Sequence, residues 1–112
     1  MRARRAWAVR VGVAMLALAL VLTTGVASAG GNRVRAVNFA FKPHTITVQK
    51  GQRVTWKRAA GRHTVTFKHS SFDKILSRHH RRVSRRFHHR GTFRYFCRFH
   101  RSLGMTGKIV VK

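Results

Sequence analysis

The stretch Tyr95-Phe96-Cys97-Arg98-Phe99-His100-Arg101-Ser102-Leu103-Gly104-Met105 constrains this chain more than any other. It carries the only cysteine, then a histidine three residues on and a methionine five beyond that. A thiolate, an imidazole and a thioether this close together suit a soft, redox-active metal, copper above all. The arrangement such a metal uses for electron transfer takes one cysteine, two histidines and a weak, long axial methionine. Three of those four donors lie in this loop, so the fold must bring in a second histidine. His63, in Gly61-Arg62-His63-Thr64-Val65, is the candidate. Taken singly, Met105 reads equally well as core filling and His63 as a satisfied core histidine; only their joint spacing with Cys97 and His100 makes a site. Zinc accepts the same donors, but copper binds more tightly in the divalent series and methionine favours it further.

The rest of the chain reads as short strands with period-two alternation. Val37, Phe39 and Phe41 alternate with Asn38, Ala40 and Lys42, and Pro43 then removes a backbone donor, which suits an edge or bend. Ile46 and Val48 point one way and Thr45 and Thr47 the other; Gln49-Lys50-Gly51-Gln52 is turn chemistry. Val54 and Trp56 form the next inward pair, and Ala59 to Arg62 a loop. His63, Val65 and Phe67 share one face, with Thr64, Thr66 and Lys68 on the other. Phe72, Ile75 and Leu76 are spaced like one helical turn and predict a loop with a short helix. Val83 and Phe87 open a further strand; Phe93, Tyr95 and Cys97 face inward together; Ile109 and Val111 belong to the last strand. About seven to eight short strands separated by turns predict an all-β sandwich.

With the loop and strands in place, the chain resembles the cupredoxin family, and within it the plastocyanin-like type 1 (blue) copper proteins. The resemblance rests on Tyr95-x-Cys97-x2-His100-x4-Met105-x-Gly107 followed by Ile109-x-Val111, and on Phe41-x-Pro43, Val48, Gly51, Val54-x-Trp56 and His63. It implies a Greek-key β-sandwich over residues 30–112, with one type 1 copper ion held by His63, Cys97, His100 and Met105. It also implies single-electron transfer, with electrons leaving through His100 inside an apolar patch that includes Leu103 and Gly104. Gly104 and Gly107 are expected to serve the backbone, through positive φ or close approach, and Thr64 to brace the cysteine loop.

The first residues read as an export signal. Arg2, Arg4 and Arg5 form a basic start, Val11 to Leu22 an apolar run, and Ala27-Ser28-Ala29 a small-residue cleavage site. Cleavage after residue 29 leaves residues 30–112, a small domain that bound metal would help to hold together. The alternative is an uncleaved membrane anchor, because residues 11–29 contain no charge. Export places the protein in the periplasm, the cell envelope or outside the cell. There an unpaired thiol such as Cys97 is a liability unless something occupies it.

Lys and Arg number 25 against one acid, Asp73; removing residues 1–29 takes four arginines away and leaves a net +20. Such a balance speaks to partners and self-repulsion, not to fold. Plant-type plastocyanins present acidic patches, whereas here Arg94, Arg98 and Arg101 are expected to surround the electron port at His100. The expected partner is therefore an acidic redox protein or an anionic cell envelope, met by a monomer, with no specific nucleic acid. His79-His80 and His88-His89 are adjacent pairs whose members face opposite ways on a strand, which suits solvated surface better than a second copper-loading site. His44 and His69 carry no assignment. An enzyme is not expected, since multicopper oxidases need several such domains and His-x-His ligand pairs. The rival function is a copper carrier or sequestration protein of the envelope, using the same ligands without a redox role.

Overall fold

The computed structural model describes residues 32–112; the segment read as a signal, 1–29, lies outside them. Nine strands form two mixed sheets: β1 (Arg33–Val37), β2 (Ala40–Lys42), β3 (Thr45–Val48), β4 (Arg53–Arg58), β5 (His63–Phe67), β6 (Asp73–Leu76), β7 (Arg82–Arg86), β8 (Gly91–Phe96) and β9 (Thr106–Val111). One sheet has the order β2-β1-β4-β7, the other β3-β9-β8-β5-β6. β1 runs parallel to β4 and β3 parallel to β9, while all other pairs are antiparallel. This is a Greek-key β-sandwich of the expected class.

Alternation decides which face of each strand is buried. Val34, Ala36, Phe41, Val54 and Trp56 point inward from the first sheet, and Ile46, Val48, Val65, Phe67, Tyr95, Ile109 and Val111 from the second. Trp56 joins the layers, with its ring edge-on to Tyr95 at 5.3 Å and to Phe67 at 5.8 Å. Such pairs add to area burial, about 0.5–1.5 kcal/mol each.

Two sequence expectations change. The segment around Phe72, Ile75 and Leu76 is not helical: Asp73–Leu76 is an edge strand paired to β5, with His63 opposite Leu76 and Thr66 opposite Asp73. The open side of β5 offers it a hydrogen-bonding ladder that one isolated helical turn cannot match. Val37, Phe39 and Phe41 do not share a strand either, because the chain turns at Asn38–Phe39 and leaves Phe39 exposed. Together these changes give nine strands where seven to eight were expected. Thr64, on the face of β5 opposite His63, is fully buried.

Candidate metal centre

The register of β5 against β8 builds the site. Thr66 lies opposite Phe96 and Phe67 opposite Tyr95, so the same antiparallel pairing carried past the strand end brings His63 and Thr64 beside Cys97 and Arg98. The loop from Cys97 to Met105 joins β8 to β9 and is closed by backbone bonds from Cys97 N–H to the Met105 carbonyl (3.0 Å) and from Met105 N–H to the His100 carbonyl (3.3 Å). A short 3-10 turn, Arg101–Leu103, ends at Gly104, whose φ of 81° is the left-handed conformation that favours glycine.

These constraints bring three donor atoms together. Cys97 Sγ stands 3.5 Å from His100 Nδ1 and 3.9 Å from His63 Nδ1, and the two Nδ1 atoms are 3.3 Å apart. All three lie within 4.8 Å of one another, and they are the one such group of His, Cys, Asp or Glu donors among the described residues. Donors about 2.0–2.3 Å from a shared ion in a trigonal plane stand roughly 3.5–4 Å apart, so the donor set fits a single ion. Met105, fully buried, joins the loop end to β9 beside them. His79, His80, His88 and His89 are exposed and belong to no group of three donors.

Neighbouring groups fix each donor's role. The His63 Nε2 lies 2.6 Å from the Ala60 carbonyl, which can only accept, so Nε2 carries the proton and Nδ1 presents a lone pair. The Cys97 sulfur accepts the Thr64 backbone N–H at 3.4 Å, and the Thr64 hydroxyl accepts the Arg98 N–H at 2.8 Å. That hydroxyl bonds Thr66, which donates to Asp73, and Asp73 also takes the Arg98 guanidinium at 3.1 Å. The chain's only acid thus closes a polar ring behind the cysteine loop.

Gly61 is required here too. Its φ is 78°, and a Cβ there would stand 2.9 Å from His63 Nε2 and overlap the Asn38 side chain.

Around His100, Phe39 packs at 4.6 Å and Phe99 at 6.4 Å between ring centroids, while Leu103 donates its N–H to the His100 carbonyl. Phe39, Phe99 and Leu103 are all exposed. Arg62 and Arg98 stack on Phe99, and Arg101 stacks on Phe96. Sequence reasoning found Leu103 but missed Phe39, Phe99 and Arg62. For Phe99 the available signal was an aromatic in a loop, where no strand face needs one. Arg94 sits instead on the five-stranded sheet, opposite Lys108.

Residues 29–112 match the family of copper binding proteins described as plastocyanin/azurin. The chain belongs to that family. The chloroplastic plastocyanin of Tetradesmus obliquus is 31% identical, over 97% of this chain and 81% of that protein. Among solved structures, oxidised plastocyanin from Dryopteris crassirhizoma superposes with a TM-score of 0.64 at 25% identity, covering 71% of this chain and 99% of its own. A mutant amicyanin in its Cu(I) form gives 0.64 at 25%, covering 77% and 86%. The donor set of this plastocyanin-like cupredoxin accordingly fits one type 1 copper ion.

Burial holds the His63 imidazole below its ordinary value of 6.5; the Ala60 carbonyl opposes this, and the charges of His100 and Arg58 add to it. A lowered folded pKa means that the unfolded chain takes up the proton first. Stability of the metal-free protein is therefore fully present above about pH 6.5 and is lost as pH falls toward the depressed value, by at most about 1.4 kcal/mol per pH unit. Melting temperatures of the metal-free protein between about pH 7 and pH 5 should fall, and His63→Gln should flatten the slope. An unchanged slope in that variant would contradict the assignment.

Proposed function

We propose that this protein is an exported blue copper protein that carries single electrons, with His63, Cys97, His100 and Met105 holding one copper ion. The observation that carries the reading is the approach of a buried sulfur and two imidazole Nδ1 atoms to within 4.8 Å. When bound, copper supplies a one-electron couple whose potential depends on the axial ligand and on hydrogen bonding at the cysteine sulfur. The chain's own residues do the rest. The Ala60 carbonyl holds His63 in one tautomer, and the Thr64 N–H stabilises negative charge on Cys97. A donor set fixed in this way needs little rearrangement between the two oxidation states. His100, half-buried, reaches the surface through the patch formed by Phe39, Phe99 and Leu103, and is the electron port.

Residues 1–29 are the signal segment and 30–112 the working domain; the family match from residue 29 supports that boundary. The location that follows is the periplasm, the cell envelope or the extracellular space, and the domain acts as a monomer. Arg62, Arg98 and Arg101 border the port, which suits an acidic redox protein as partner.

Electrostatic steering raises association rates by 10- to 1,000-fold and weakens with salt. Neutralising Arg62 and Arg101 to glutamine should therefore slow electron transfer to an acidic redox protein about tenfold at low ionic strength and flatten its salt dependence. Neutralising Arg33 and Arg35 should do much less. Equal effects from the two pairs, read by stopped-flow kinetics, would remove the docking role from the port.

A further inference from the structure

The outer face of the four-stranded sheet carries a charge pattern that the copper site does not use. Lys42 lies opposite Arg35, Arg35 opposite Lys57, and Lys57 opposite Arg82, so four exposed cations form one unbroken row across β2, β1, β4 and β7. Neighbouring strands stand about 4.8 Å apart, giving the row a length of roughly 15 Å. Two residues along, Arg33 faces Thr55 and Thr55 faces Ser84, with the two hydroxyls 3.0 Å apart; beyond them Arg53 faces Arg86. A groove of about 870 Å³ runs here, lined by Arg35, Lys42, Lys57 and Arg82, with Arg58 and Arg81 also contributing.

Like charges placed directly opposite on paired strands destabilise a sheet. Among the described residues no acidic side chain lies against this row. Asp73, the only carboxylate side chain, belongs to the other sheet and is engaged by Thr66 and Arg98. Among the described residues, Arg35, Lys42, Lys57 and Arg82 form no side-chain hydrogen bond or ion pair with one another or with any other residue. The row is therefore free to meet an external polyanion.

The chemistry of the face narrows what that polyanion is. The exposed large hydrophobic residues are Phe39, Ile75, Phe99 and Leu103, and none belongs to these rows. The face therefore has no wedge to insert into a bilayer, and its groove is concave. Five of its seven row cations are arginines, whose planar forks pair with phosphate oxygens, and the Thr55 and Ser84 hydroxyls can donate beside them. We infer that this face binds a linear phosphate polymer lying across the strands, a function separate from copper and independent of the port at His100.

The test measures binding of the purified protein to long-chain inorganic polyphosphate over a range of salt concentrations. Replacing Arg35, Lys42, Lys57 and Arg82 together by glutamine should cut affinity at least ~100-fold and lower the salt slope by about 3, at about 0.7 per lost phosphate contact. Replacing Lys50, Lys68, Arg94 and Lys112 by glutamine removes the same charge elsewhere and should cost less than ~5-fold, with a slope change below about 1. The row variant should also melt at a higher temperature, because repulsion is relieved. The double variant Arg35→Gln with Lys57→Gln should give about half the slope change, which guards against a folding defect in the quadruple one. Equal losses in the two quadruple variants would overturn the proposal, as would tighter binding to phosphatidylglycerol vesicles than to polyphosphate.

Discussion

Loading with Cu(II) should give this protein an intense visible absorption, and replacing Cys97 by alanine should abolish it. That absorption is charge transfer from a thiolate to the metal, and no second thiol exists in the chain to substitute. The imidazoles of His63 and His100 would still attract copper, but only as a weaker site with pale absorption. Alanine also leaves the buried Thr64 N–H without its acceptor, at a cost of about 1–3 kcal/mol. Cys97→Ser is the informative companion, since it keeps the acceptor and nearly the volume. It should lose the colour just as completely while melting within a few degrees of the parent. A Cys97→Ser protein that still turned intensely blue would end the assignment of the thiolate.

Gly107→Ala should be strongly destabilising. Gly107 on β9 lies directly opposite Tyr95 on β8, and a Cβ there would overlap the phenol ring. Tyr95 cannot retreat: it is 1% exposed and packed against Phe41 at 4.8 Å, Phe67 at 5.2 Å and Trp56 at 5.3 Å. Overpacking a rigid core costs about 1–3 kcal/mol, and a ring with three packed neighbours places this site at the upper end. For a domain of this size about 3 kcal/mol lowers the melting temperature by roughly 12–24 °C. Tyr95→Leu in the Gly107→Ala background should recover part of the loss, with a coupling energy of about 1 kcal/mol or more in the double-mutant cycle. A Gly107→Ala protein melting within about 2 °C of the parent would show that the two strands separate more easily than this packing allows.

How far the sequence led depended on whether a residue's role was local and apolar. Val54 and Trp56, Ile46 and Val48, and Ile109 and Val111 were legible because each pair buries one face of a strand. Cys97, His100 and Met105 stood out as candidates because one loop holds all three. His63 followed from strand alternation, which places it at the start of β5 on the core side. Edge strand β6 was not legible: only Leu76 of its four residues is buried, so no period-two face exists to read. Phe39 misled for the opposite reason, since its ring packs on His100 at the surface and not in the core.

Arg85 defeated binary patterning altogether. It occupies an inward position on β7 with its guanidinium 4.4 Å from the Phe67 ring and 5.0 Å from the Phe87 ring. A delocalised cation over aromatic faces is a packing solution that a polar-or-apolar alphabet cannot express. The Ala60 carbonyl that orients His63 is backbone and leaves no mark on residue identity.

Whether copper held by His63, Cys97, His100 and Met105 serves electron transfer can be read from a reductive and oxidative titration of the Cu(II)-loaded protein. The visible band is followed while free copper is monitored with a chelator. The band should bleach with one electron per chain and return fully on reoxidation, with no copper released through repeated cycles. Loss of copper to the chelator on reduction, with the band failing to return, would contradict that role and mark the protein as a copper carrier.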